Sequence, residues 1–532
     1  MHLGVDLGTT RTIVAATDRG NYPVVSFLDS DGDAHDHFPS VVADDAGELV
    51  YGFDAVAAGH AGAATLRSFK RTLAAADVTG ATPVAIGSRT EPILDVLTGF
   101  LTALRTALYE RSNLPRAARN ARAREASRTV VGVPAHAHGA QRYLTLEAFR
   151  RAGFTVTAMI NEPSAAGFEY THRRGTTVSS RRTRVVVYDL GGGTFDASLV
   201  DVRDTDHDVL ATAGLNRLGG DDFDEALVRC ALAAAGASGT RDPELLESLR
   251  EQARDAKERL TPQSRRIALE VGDTEVTVGV DDYYEAAAPL LQQTIDAMRP
   301  LLAALPADDE PDPAGTAAEA ADPESAEDLT EIAGIYLVGG GSGLPLVPRL
   351  LREQYGRRVH RSPLPAASTA IGLAIAADPD AEFTLSDRLS RGFGVFRERD
   401  GGARLSFDAI LRPDAALPAD ADEDAVIVRR YRAAHNVGRF RFVECTAIDA
   451  TGEPRGNIVP FAQVTFPFDP ALQGADRTAD VSAAEVHRRD DGPLVEERYV
   501  IDRNGMIEVR ITDLDSGYGQ THTIGAAGRS QG

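Results

Sequence analysis

The stretch that decides the fold is Val187-Tyr188-Asp189-Leu190-Gly191-Gly192-Gly193-Thr194-Phe195-Asp196. A segment far upstream, Gly4-Val5-Asp6-Leu7-Gly8-Thr9-Thr10, has nearly the same pattern. In each, an apolar β-run leads into Asp-Leu-Gly and a small-residue turn, and a second β-run follows at 12–17 or 197–202. Small residues let backbone N–H groups approach phosphate oxygens closely, and an aspartate at a strand end can hold a hydrated divalent cation. The pattern predicts two hairpins, from two halves of one chain, that grip a nucleoside triphosphate from opposite sides.

Composition narrows the class of protein. A chain of 532 residues should hold more than one domain, and 43% hydrophobic residues are ample for real cores. The net charge of -23 argues against a nucleic-acid footprint or an anionic membrane surface as partner. Two cysteines, Cys230 and Cys445, form no spaced pair that would indicate a disulfide framework or a thiolate metal site. With no basic-then-apolar leader and no apolar run of membrane-spanning length, we expect a cytoplasmic protein.

Lysine is almost absent. Lys70 and Lys257 are the only lysines, and every other basic residue is an arginine or a histidine. A compositional bias toward arginine explains the scarcity but not which two lysines survive. Where a site needs a compact point charge, the planar guanidinium of arginine does not replace the ammonium of lysine. Both positions are therefore candidates for a charge-specific role.

The spacing of apolar residues predicts where helices and strands lie along the chain. Leucines at helical spacing predict a helix over 93–110, and further helices are expected over 139–152, from 243 and over 283–305. From about 392 onward, short alternating runs separated by turns predict an all-β region. Other nucleotide and catalytic signatures are missing: neither lysine follows a Walker glycine, no G-x-G-x-x-G opens a helix, and no nucleophile elbow or histidine metal spacing occurs.

Several ordered motifs together resemble the 70-kilodalton heat-shock chaperone family, within the actin-like ATPase superfamily. The resemblance covers roughly residues 2–378 clearly and the β-region more loosely. The motifs that carry it are Gly4–Thr10, Val133-Pro134 with Gln141-Arg142, Ile160–Ala166, Asp189–Asp196, Leu218–Asp224 and Leu337–Pro345.

The resemblance implies an α/β two-lobed actin-like ATPase domain followed by an all-β sandwich domain, without a helical lid. The implied boundaries are an ATPase domain over 1–382, a linker over 383–391, a substrate-binding-like sandwich over 392–526 and a tail over 527–532. Within the ATPase domain, residues 307–328 are rich in alanine, aspartate, glutamate and proline. That composition predicts a disordered acidic insertion.

The resemblance also implies site residues for ATP or ADP and Mg²⁺. Asp6 and Asp189 would hold the metal through its water shell, since magnesium usually keeps several waters. Lys70, Glu162, Asp196 and Thr194 would be catalytic, neutralising the transferred phosphoryl group or orienting the attacking water. Lys257 would contact the ribose. The remaining nucleotide contacts would come from Gly8, Thr9, Thr10, Gly191, Gly192, Gly193, Thr194, Gly219, Gly220, Gly339, Gly340, Gly341 and Ser342.

The sequence departs from the family around the base and the linker. Gly343 and Glu258 stand where members often stack an arginine on adenine, so a preference for ATP over another nucleotide is left open. Residues 383–389 match the family's leucine-rich acidic linker only in part. Ala158 stands where the family has a basic residue that helps dock J-domain partners. Pro134 and Arg142, at the family's switch positions, are present.

Two functions follow from this reading. The first is an ATP-dependent, chaperone-like protein that hydrolyses ATP with Mg²⁺ and binds unfolded or extended polypeptide on its sandwich, with a J-domain protein and a nucleotide-exchange factor as possible partners. The alternative is a nucleotide-gated binding or scaffold module with little turnover that docks a dedicated partner. Catalytic residues favour the first, and the thin linker favours the second.

Overall fold

The computed structural model describes residues 1–174, 183–203, 205–303, 332–381, 383–413, 415–418, 424–473, 481 and 483–524. The predicted acidic insertion at 307–328 lies outside these residues. The chain divides into two compact units. The first unit comprises Met1–Val133, Ala137–Ile160 and Leu385–Gly532, and the second comprises Pro134–His136 and Asn161–Thr384.

The N-terminal part of the first unit is an α/β lobe built on a five-stranded sheet of order β12-β11-β1-β2-β5, in which β1 is parallel to β11 and antiparallel to β2. Its elements are β1 (His2–Leu7), β2 (Arg11–Ala16), β3 (Phe27–Leu28), β4 (Ala34–His35), β5 (Phe38–Pro39), β6 (Val41–Asp45), β7 (Glu48–Tyr51), α1 (Phe53–His60), β8 (Ala64–Arg67), β9 (Pro83–Ile86), β10 (Arg89–Pro92), α2 (Ile93–Glu110), α3 (Ala121–Glu125), β11 (Arg128–Val133), α4 (Gly139–Arg151) and β12 (Val156–Asn161).

The helix predicted over 93–110 is confirmed as α2. Its apolar face is buried because Leu97, Leu101 and Leu104 recur at helical spacing and join one core with the sheet and α4. The helix predicted over 139–152 is confirmed as α4, and Gly153 follows it at a positive φ, as a helix-terminating glycine does.

The second unit is built on a six-stranded sheet of order β19-β18-β13-β14-β15-β20, in which β13 is parallel to β18 and antiparallel to β14. Its elements are α5 (Glu162–Arg174), β13 (Arg184–Leu190), β14 (Phe195–Arg203), β15 (Asp206–Leu215), α6 (Gly220–Ala234), α7 (Pro243–Glu258), β16 (Arg266–Val271), β17 (Thr274–Gly279), α8 (Val280–Ala303), β18 (Ile332–Val338), α9 (Leu346–Tyr355), β19 (Val359–Arg361), α10 (Ser368–Ala377) and β20 (Thr384–Ser386).

The helix predicted from 243 begins as expected. Asp242 caps α7, because its carboxylate accepts from the backbone N–H groups of Glu244 and Leu245, and Pro243 occupies the first turn. The predicted linker starts within this unit, where the Thr384 N–H donates to the Thr205 carbonyl at 3.2 Å. Its later residues Asp387 and Arg391 belong to the first unit and are buried.

The C-terminal part of the first unit is a β-sandwich. One sheet has the order β22-β21-β24-β27 and the other β23-β28-β29-β30. Phe393, Phe442 and Phe466 from one sheet share a core with Tyr499 and Ile511 from the other. The elements are β21 (Gly392–Arg399), β22 (Arg404–Leu411), β23 (Ala425–Arg432), β24 (Val437–Cys445), β25 (Ala447–Ile448), β26 (Pro454–Arg455), β27 (Val459–Pro467), β28 (Leu494–Ile501), β29 (Ile507–Asp513) and β30 (Gly519–Ile524).

A buried carboxylate ties the two sheets of the sandwich together. Glu497, on β28, is fully buried and accepts two hydrogen bonds from the Arg397 guanidinium on β21, at 2.9 and 2.7 Å. The hydroxyls of Tyr431 and Tyr499 also donate to this carboxylate. Burial and the nearby Glu497 charge raise the pKa of Tyr499 well above its ordinary value, so the phenol stays protonated as a donor. The network is therefore fully satisfied, as a buried charge requires.

We expect Glu497→Gln to destabilise the sandwich by about 3 kcal/mol, because breaking a buried ion pair from one side leaves the other charge uncompensated. The neighbouring substitution Glu496→Gln is the matched control. Glu496 pairs with the largely exposed Arg430, and its loss should cost about 1 kcal/mol or less. Urea unfolding of both variants followed by circular dichroism measures the difference, and equal midpoints would contradict this ranking.

Candidate functional site

The first glycine turn closes the β1–β2 hairpin. In the hairpin Leu7 pairs with Thr12, and the Gly8 N–H donates to the Asp6 carbonyl at 3.0 Å. A Cβ on Gly8 would overlap the backbone oxygen of Arg11, so the turn admits only glycine at this position. Thr9 is buried beside it. The sequence prediction of a tight small-residue turn at Gly8–Thr10, with an aspartate at the strand end, therefore matches the backbone geometry.

Ser40 supports this turn from a distant part of the sequence. Its hydroxyl donates to the Gly8 carbonyl at 2.9 Å and lies 3.0 Å from the Thr12 hydroxyl, while its N–H donates to the Thr10 carbonyl at 3.1 Å. Sequence reasoning missed Ser40. The residue belongs to no motif, and only the pairing of β5 with β2 brings it to the turn.

Lys70 lies in a short 3-10 helix, Phe69–Ala74, in the same lobe as the first turn. Ser68, which precedes this helix, has a left-handed backbone at φ 53, an uncommon conformation for a residue other than glycine. Phe69 packs on Phe100 with ring centroids 5.2 Å apart, which fixes the segment against α2. The Lys70 side chain is only 7% exposed, and a lysine this buried is rare unless it has an ionic partner or a function.

The second glycine turn closes the β13–β14 hairpin. Asp189 and Asp196 pair across the hairpin, and the Gly191 N–H donates to the Thr194 carbonyl at 3.0 Å. Both aspartates are buried, at 7% and 2% exposure. The Asp196 carboxylate lies 3.4 Å from the His136 N–H, a contact that the motif did not reveal. The hairpin thus places two carboxylates on neighbouring strand ends beside the turn.

The N-terminus of α6 is joined to that turn. The Gly220 N–H donates to the Gly191 carbonyl and the Asp221 N–H to the Gly192 carbonyl, each at 2.8 Å. The Asp222 carboxylate accepts from the Gly219 N–H at 2.8 Å and completes a capping arrangement. Gly191–Gly193 and Gly219–Gly220, predicted as phosphate contacts from separate motifs, therefore lie together. A helix N-terminus beside a glycine turn favours an anion.

Lys257 extends from α7 into the base of the same cluster. Its Nζ donates to the Gly220 carbonyl at 2.7 Å and lies 2.6 Å from the Asp224 carboxylate. Burial raises the pKa of Asp224, and the Lys257 charge opposes that rise. Arg254 lies 3.6 Å from the same carboxylate. The structure therefore places the lysine expected at the ribose in a buried ion pair that fastens α7 to the start of α6.

The third glycine loop follows β18 and contacts the end of β13. Gly339 has a φ of +80, and a Cβ built on it would overlap the Asp189 carboxylate and the Leu190 carbonyl. Gly341 approaches the same backbone, and the Ser342 hydroxyl donates to the Gly339 carbonyl at 2.8 Å. Gly340, between them, has open space where a side chain would be. This loop therefore lies directly against the predicted metal carboxylate.

Glu162 begins α5, the first-turn position at which the helix dipole favours a carboxylate. It is buried, at 8% exposure. The residues that the structure brings together fall into two groups. The first unit holds Gly8, Thr9 and Thr10 in one turn, and the second brings Gly191–Gly193 together with Gly219–Gly220, Lys257 and the contact of Gly339 with Asp189.

The described residues hold no group of three or more histidine, cysteine, aspartate or glutamate side chains able to ligate a metal ion directly. Single carboxylates at strand ends suit a cation that keeps most of its water, as magnesium does. Asp6 and Asp189 would therefore suit a hydrated Mg²⁺ better than a directly ligated metal ion. In the part of the chain that the structure describes, no helix is both long and apolar enough to cross a membrane.

A separate contact joins α4 to the sandwich inside the first unit. The Gly139 N–H, in the first turn of α4, lies 3.1 and 3.0 Å from the two carboxylate oxygens of Glu444 on β24. Arg391 approaches the same carboxylate at 3.5 Å. Arg142, predicted as a switch residue, is buried and donates to the Asn504 carbonyl at 3.3 Å, and the Asn504 side chain accepts from the Met159 N–H at 2.9 Å.

Burial sets the protonation of this contact. It raises the pKa of Glu444 to about 7, against the opposing influence of Arg391, the Gly139 N–H and Arg142. Burial and the Arg391 charge lower the pKa of His138, which caps α4, to about 4. His138 therefore stays neutral at neutral pH, and Glu444 is the group at this contact that titrates there.

The chain belongs to the Hsp70 protein family, whose family profile matches residues 2–379. The resemblance inferred from the motifs is thereby confirmed. Membership implies a two-lobed, actin-like ATPase architecture followed by a β-sandwich, which agrees with the mixed sheets and the sandwich described above.

Among the relatives is the chaperone protein HscA of Klebsiella pneumoniae, 32% identical over 406 residues that cover 74% of this chain and 61% of that protein. HscA of Escherichia coli is 30% identical over 435 residues, or 79% of this chain and 65% of that protein. The HscA homolog of Colwellia psychrerythraea is 29% identical over 409 residues, with shares of 74% and 61%. The chain thus spans about three fifths of the length of these relatives.

We expect Gly339→Ala to lower the stability of the nucleotide-free protein by more than about 1 kcal/mol, because it combines backbone strain at positive φ with overlap at Asp189. Gly340→Ala is the matched control, since its new methyl group enters open space. It should change the free energy of unfolding by about 0.5 kcal/mol or less. Thermal unfolding without nucleotide measures both, and a larger loss in Gly340→Ala would contradict the geometry.

The Glu444 contact should weaken as pH rises. Its carboxyl binds a proton more tightly when buried against α4 than in water, so its contribution is fully present below its ordinary pKa of 4.5 and is lost as pH passes about 7. The chain has no tryptophan. Tyr143→Trp, beside Asp502 and Met506 of the sandwich, therefore supplies a single emission probe of the contact.

Between pH 5 and 8.5, emission of the Tyr143→Trp protein should report weakening of the contact between α4 and the sandwich as Glu444 ionises, with a midpoint near 7. Adding Glu444→Gln removes the titrating group, so the transition should disappear. The same transition in both proteins would assign it to another residue and refute the role of Glu444.

Proposed function

We propose that this protein is an ATP-hydrolysing molecular chaperone of the Hsp70 type that binds polypeptide on its sandwich. The observation that carries the proposal is the pair of glycine turns at Gly8–Thr10 and Gly191–Thr194, each with an aspartate at the strand end, together with the third glycine loop, in which Gly339 lies against Asp189. Such turns expose N–H groups to phosphate oxygens. Membership of the Hsp70 family supports the choice of ATP over other phosphate ligands.

The proposed roles follow from the chemistry of each residue. The turns at Gly8–Thr10 and Gly191–Thr194 and the start of α6 at Gly219–Gly220 border the phosphates, and Asp6 and Asp189 orient the waters of Mg²⁺. When bound, Mg²⁺ neutralises charge on the β- and γ-phosphates. Gly339–Ser342 borders the nucleotide. Lys257 holds the Gly220 carbonyl in place, and we retain the ribose contact as a prediction for the bound state.

In the proposed reaction, water attacks the γ-phosphorus, a new P–O bond forms, the bond to the β-phosphate oxygen of ADP breaks, and the proton that the water loses passes to the phosphate product or to solvent. Glu162 and Asp196 orient the attacking water, and Thr194 donates to the phosphoryl oxygens. The Lys70 ammonium offsets negative charge on the transferred group. Phosphoryl transfer depends mainly on positioning and electrostatics, so each of these contacts lowers the barrier without covalent chemistry.

The proposed partners are extended polypeptides, a J-domain protein and a nucleotide-exchange factor. HscA relatives carry the name of chaperone proteins, which supports a polypeptide as the client class. We further propose that the α4–sandwich contact through Glu444 and Asn504 couples nucleotide state to client binding. The contact joins the segment that carries Arg142 to strand β24 and to the turn between β28 and β29, so a shift in α4 would reach the client domain.

We expect Lys70→Ala and Thr194→Ala each to reduce Mg²⁺-dependent ATP turnover by about two orders of magnitude or more, since each removes a group that acts on the transferred phosphoryl. Thr90→Ala, at an exposed position on β10, is the control and should keep wild-type turnover. Steady-state phosphate release, with fluorescent-nucleotide binding measured on the same samples, separates loss of chemistry from loss of binding.

The alternative function, a nucleotide-gated scaffold, makes a different prediction in the same assay. Wild-type protein would bind nucleotide but release phosphate no faster than Lys70→Ala. That result would overturn hydrolysis while leaving nucleotide binding intact.

A further inference from the structure

An open cavity of about 730 Å³ lies in the sandwich, and seven of its twenty lining residues are arginines. We call it the arginine groove. Its exposed cationic lining residues are Arg399, Arg430, Arg432, Arg439 and Arg441. Two more arginines, Arg397 and Arg429, form its inner wall. Glu398 and Asp408 are the carboxylates among the lining residues. The volume lies in the range of sites that hold a small ligand or a short peptide segment.

The two inner arginines have structural partners. Arg397 donates to Glu497 and to Asp408, at 2.7 Å for the latter, and Arg429 donates to the same Asp408 carboxylate at 3.2 Å. These bonds hold the wall of the groove. They use up the carboxylate of Asp408, so it does not neutralise the outer arginines.

Three of the outer arginines, Arg399, Arg430 and Arg432, have a neutral partner or a carboxylate at the surface. Arg399 donates to the Ser406 hydroxyl at 3.0 Å, a neutral partner. Arg432 lies 3.7 Å from Asp515, and both side chains are more than half exposed. Arg430 pairs with Glu496 at the surface. Exposed pairs of this kind contribute little and exchange readily with a competing carboxylate.

Apolar side chains also line the arginine groove. Leu405 is 65% exposed and Val486 38% exposed, and both line the groove. Phe396, Phe440 and Phe468 line it as well. β23, which carries Arg430 and Arg432, lies at the edge of its sheet among the described strands. An edge strand can accept an added extended segment through its outer backbone groups.

We propose that the arginine groove binds an extended acidic polypeptide segment in which aspartate or glutamate residues alternate with large apolar residues. The proposal rests on the proposed function, because it names the client class of the polypeptide-binding sandwich. In a chain of net charge -23, a concentration of arginine on one groove creates a local field opposite to that of the rest of the molecule. Such a field selects acidic ligands and repels basic ones.

Polypeptide fits these observations better than nucleic acid. A long polyanion would meet repulsion from the acidic remainder of the chain, whereas a short acidic segment meets only the groove. Exposed Leu405 and Val486 favour aliphatic partners. In an extended segment successive side chains point to opposite sides, which lets charged and apolar residues address different walls.

The test uses the full chain and fluorescein-labelled Ser-Asp-Leu-Asp-Leu-Asp-Ser in fluorescence anisotropy. Its isosteric analogue, Ser-Asn-Leu-Asn-Leu-Asn-Ser, keeps shape and hydrophobicity and removes the charge. We expect the acidic peptide to bind about tenfold or more tightly than the analogue at low salt, and the difference to shrink as added salt screens the field. A lysine version should not bind.

The double variant Arg399→Gln/Arg441→Gln should lose about fivefold or more of acidic-peptide affinity with little effect on the asparagine analogue. Arg498→Gln/Arg510→Gln is the matched control. Those two arginines pair across β28 and β29, are exposed, and lie outside the groove, so affinity should stay unchanged. Thermal unfolding of both double variants checks that the sandwich is intact.

Equal binding of the acidic and asparagine peptides would overturn the acidic specificity and leave polypeptide binding in place. If the protein bound neither of these peptides and no other extended peptide, the proposed polypeptide function would be refuted. Displacement of the acidic peptide by single-stranded oligodeoxythymidine at equal concentration would assign the groove to nucleic acid and overturn the proposal.

Discussion

The close approach of backbone to backbone at the glycine turns is the constraint on which the rest of the structure depends. At Gly8 and Gly339 the space normally occupied by a Cβ is filled by a neighbouring carbonyl or carboxylate. A larger residue at either position would therefore force the neighbouring backbone or carboxylate to move. Beside the Gly191–Gly193 turn, the Gly220 and Asp221 N–H groups at the start of α6 donate to the carbonyls of the turn and hold the two segments together. Close packing of backbone at these turns therefore fixes where the glycine-rich segments lie.

Buried charge is handled differently in the two units. In the second, Lys257 and Asp224 form a close pair at the foot of α6, and the ammonium also reaches a backbone carbonyl. A compact ammonium suits this narrow position, where a planar guanidinium would need more room. In the sandwich, Glu497 receives the forked Arg397 guanidinium and two phenols, which together satisfy both carboxylate oxygens. The choice between lysine and arginine thus follows the geometry of each acceptor.

Several helices and both glycine hairpins could be predicted from the sequence, because they depend on patterns of residues that are close together along the chain. Helical spacing located α2, the Asp242-Pro243 pair located the start of α7, and the repeated Asp-Leu-Gly turns located both hairpins. What escaped prediction depends on partners distant in sequence. Ser40 reaches Gly8 only through strand pairing, and the partner of Lys257 follows from the packing of α7 on α6. Glu444 and Gly139 are separated by about three hundred residues, and no periodicity links them.

The Glu444 contact shows why such pairs matter more than their number suggests. The side chain of His138 caps α4 by accepting from the Gln141 N–H, which leaves the Gly139 N–H for a partner outside the helix. Glycine at 139 permits that partner, because a Cβ there would overlap the Phe461 ring of the sandwich. The contact therefore depends both on the lack of a side chain at Gly139 on α4 and on the Glu444 carboxylate on β24. Since burial places the pKa of the Glu444 carboxylate near neutrality, the contact between α4 and the sandwich is strongest when Glu444 carries its proton.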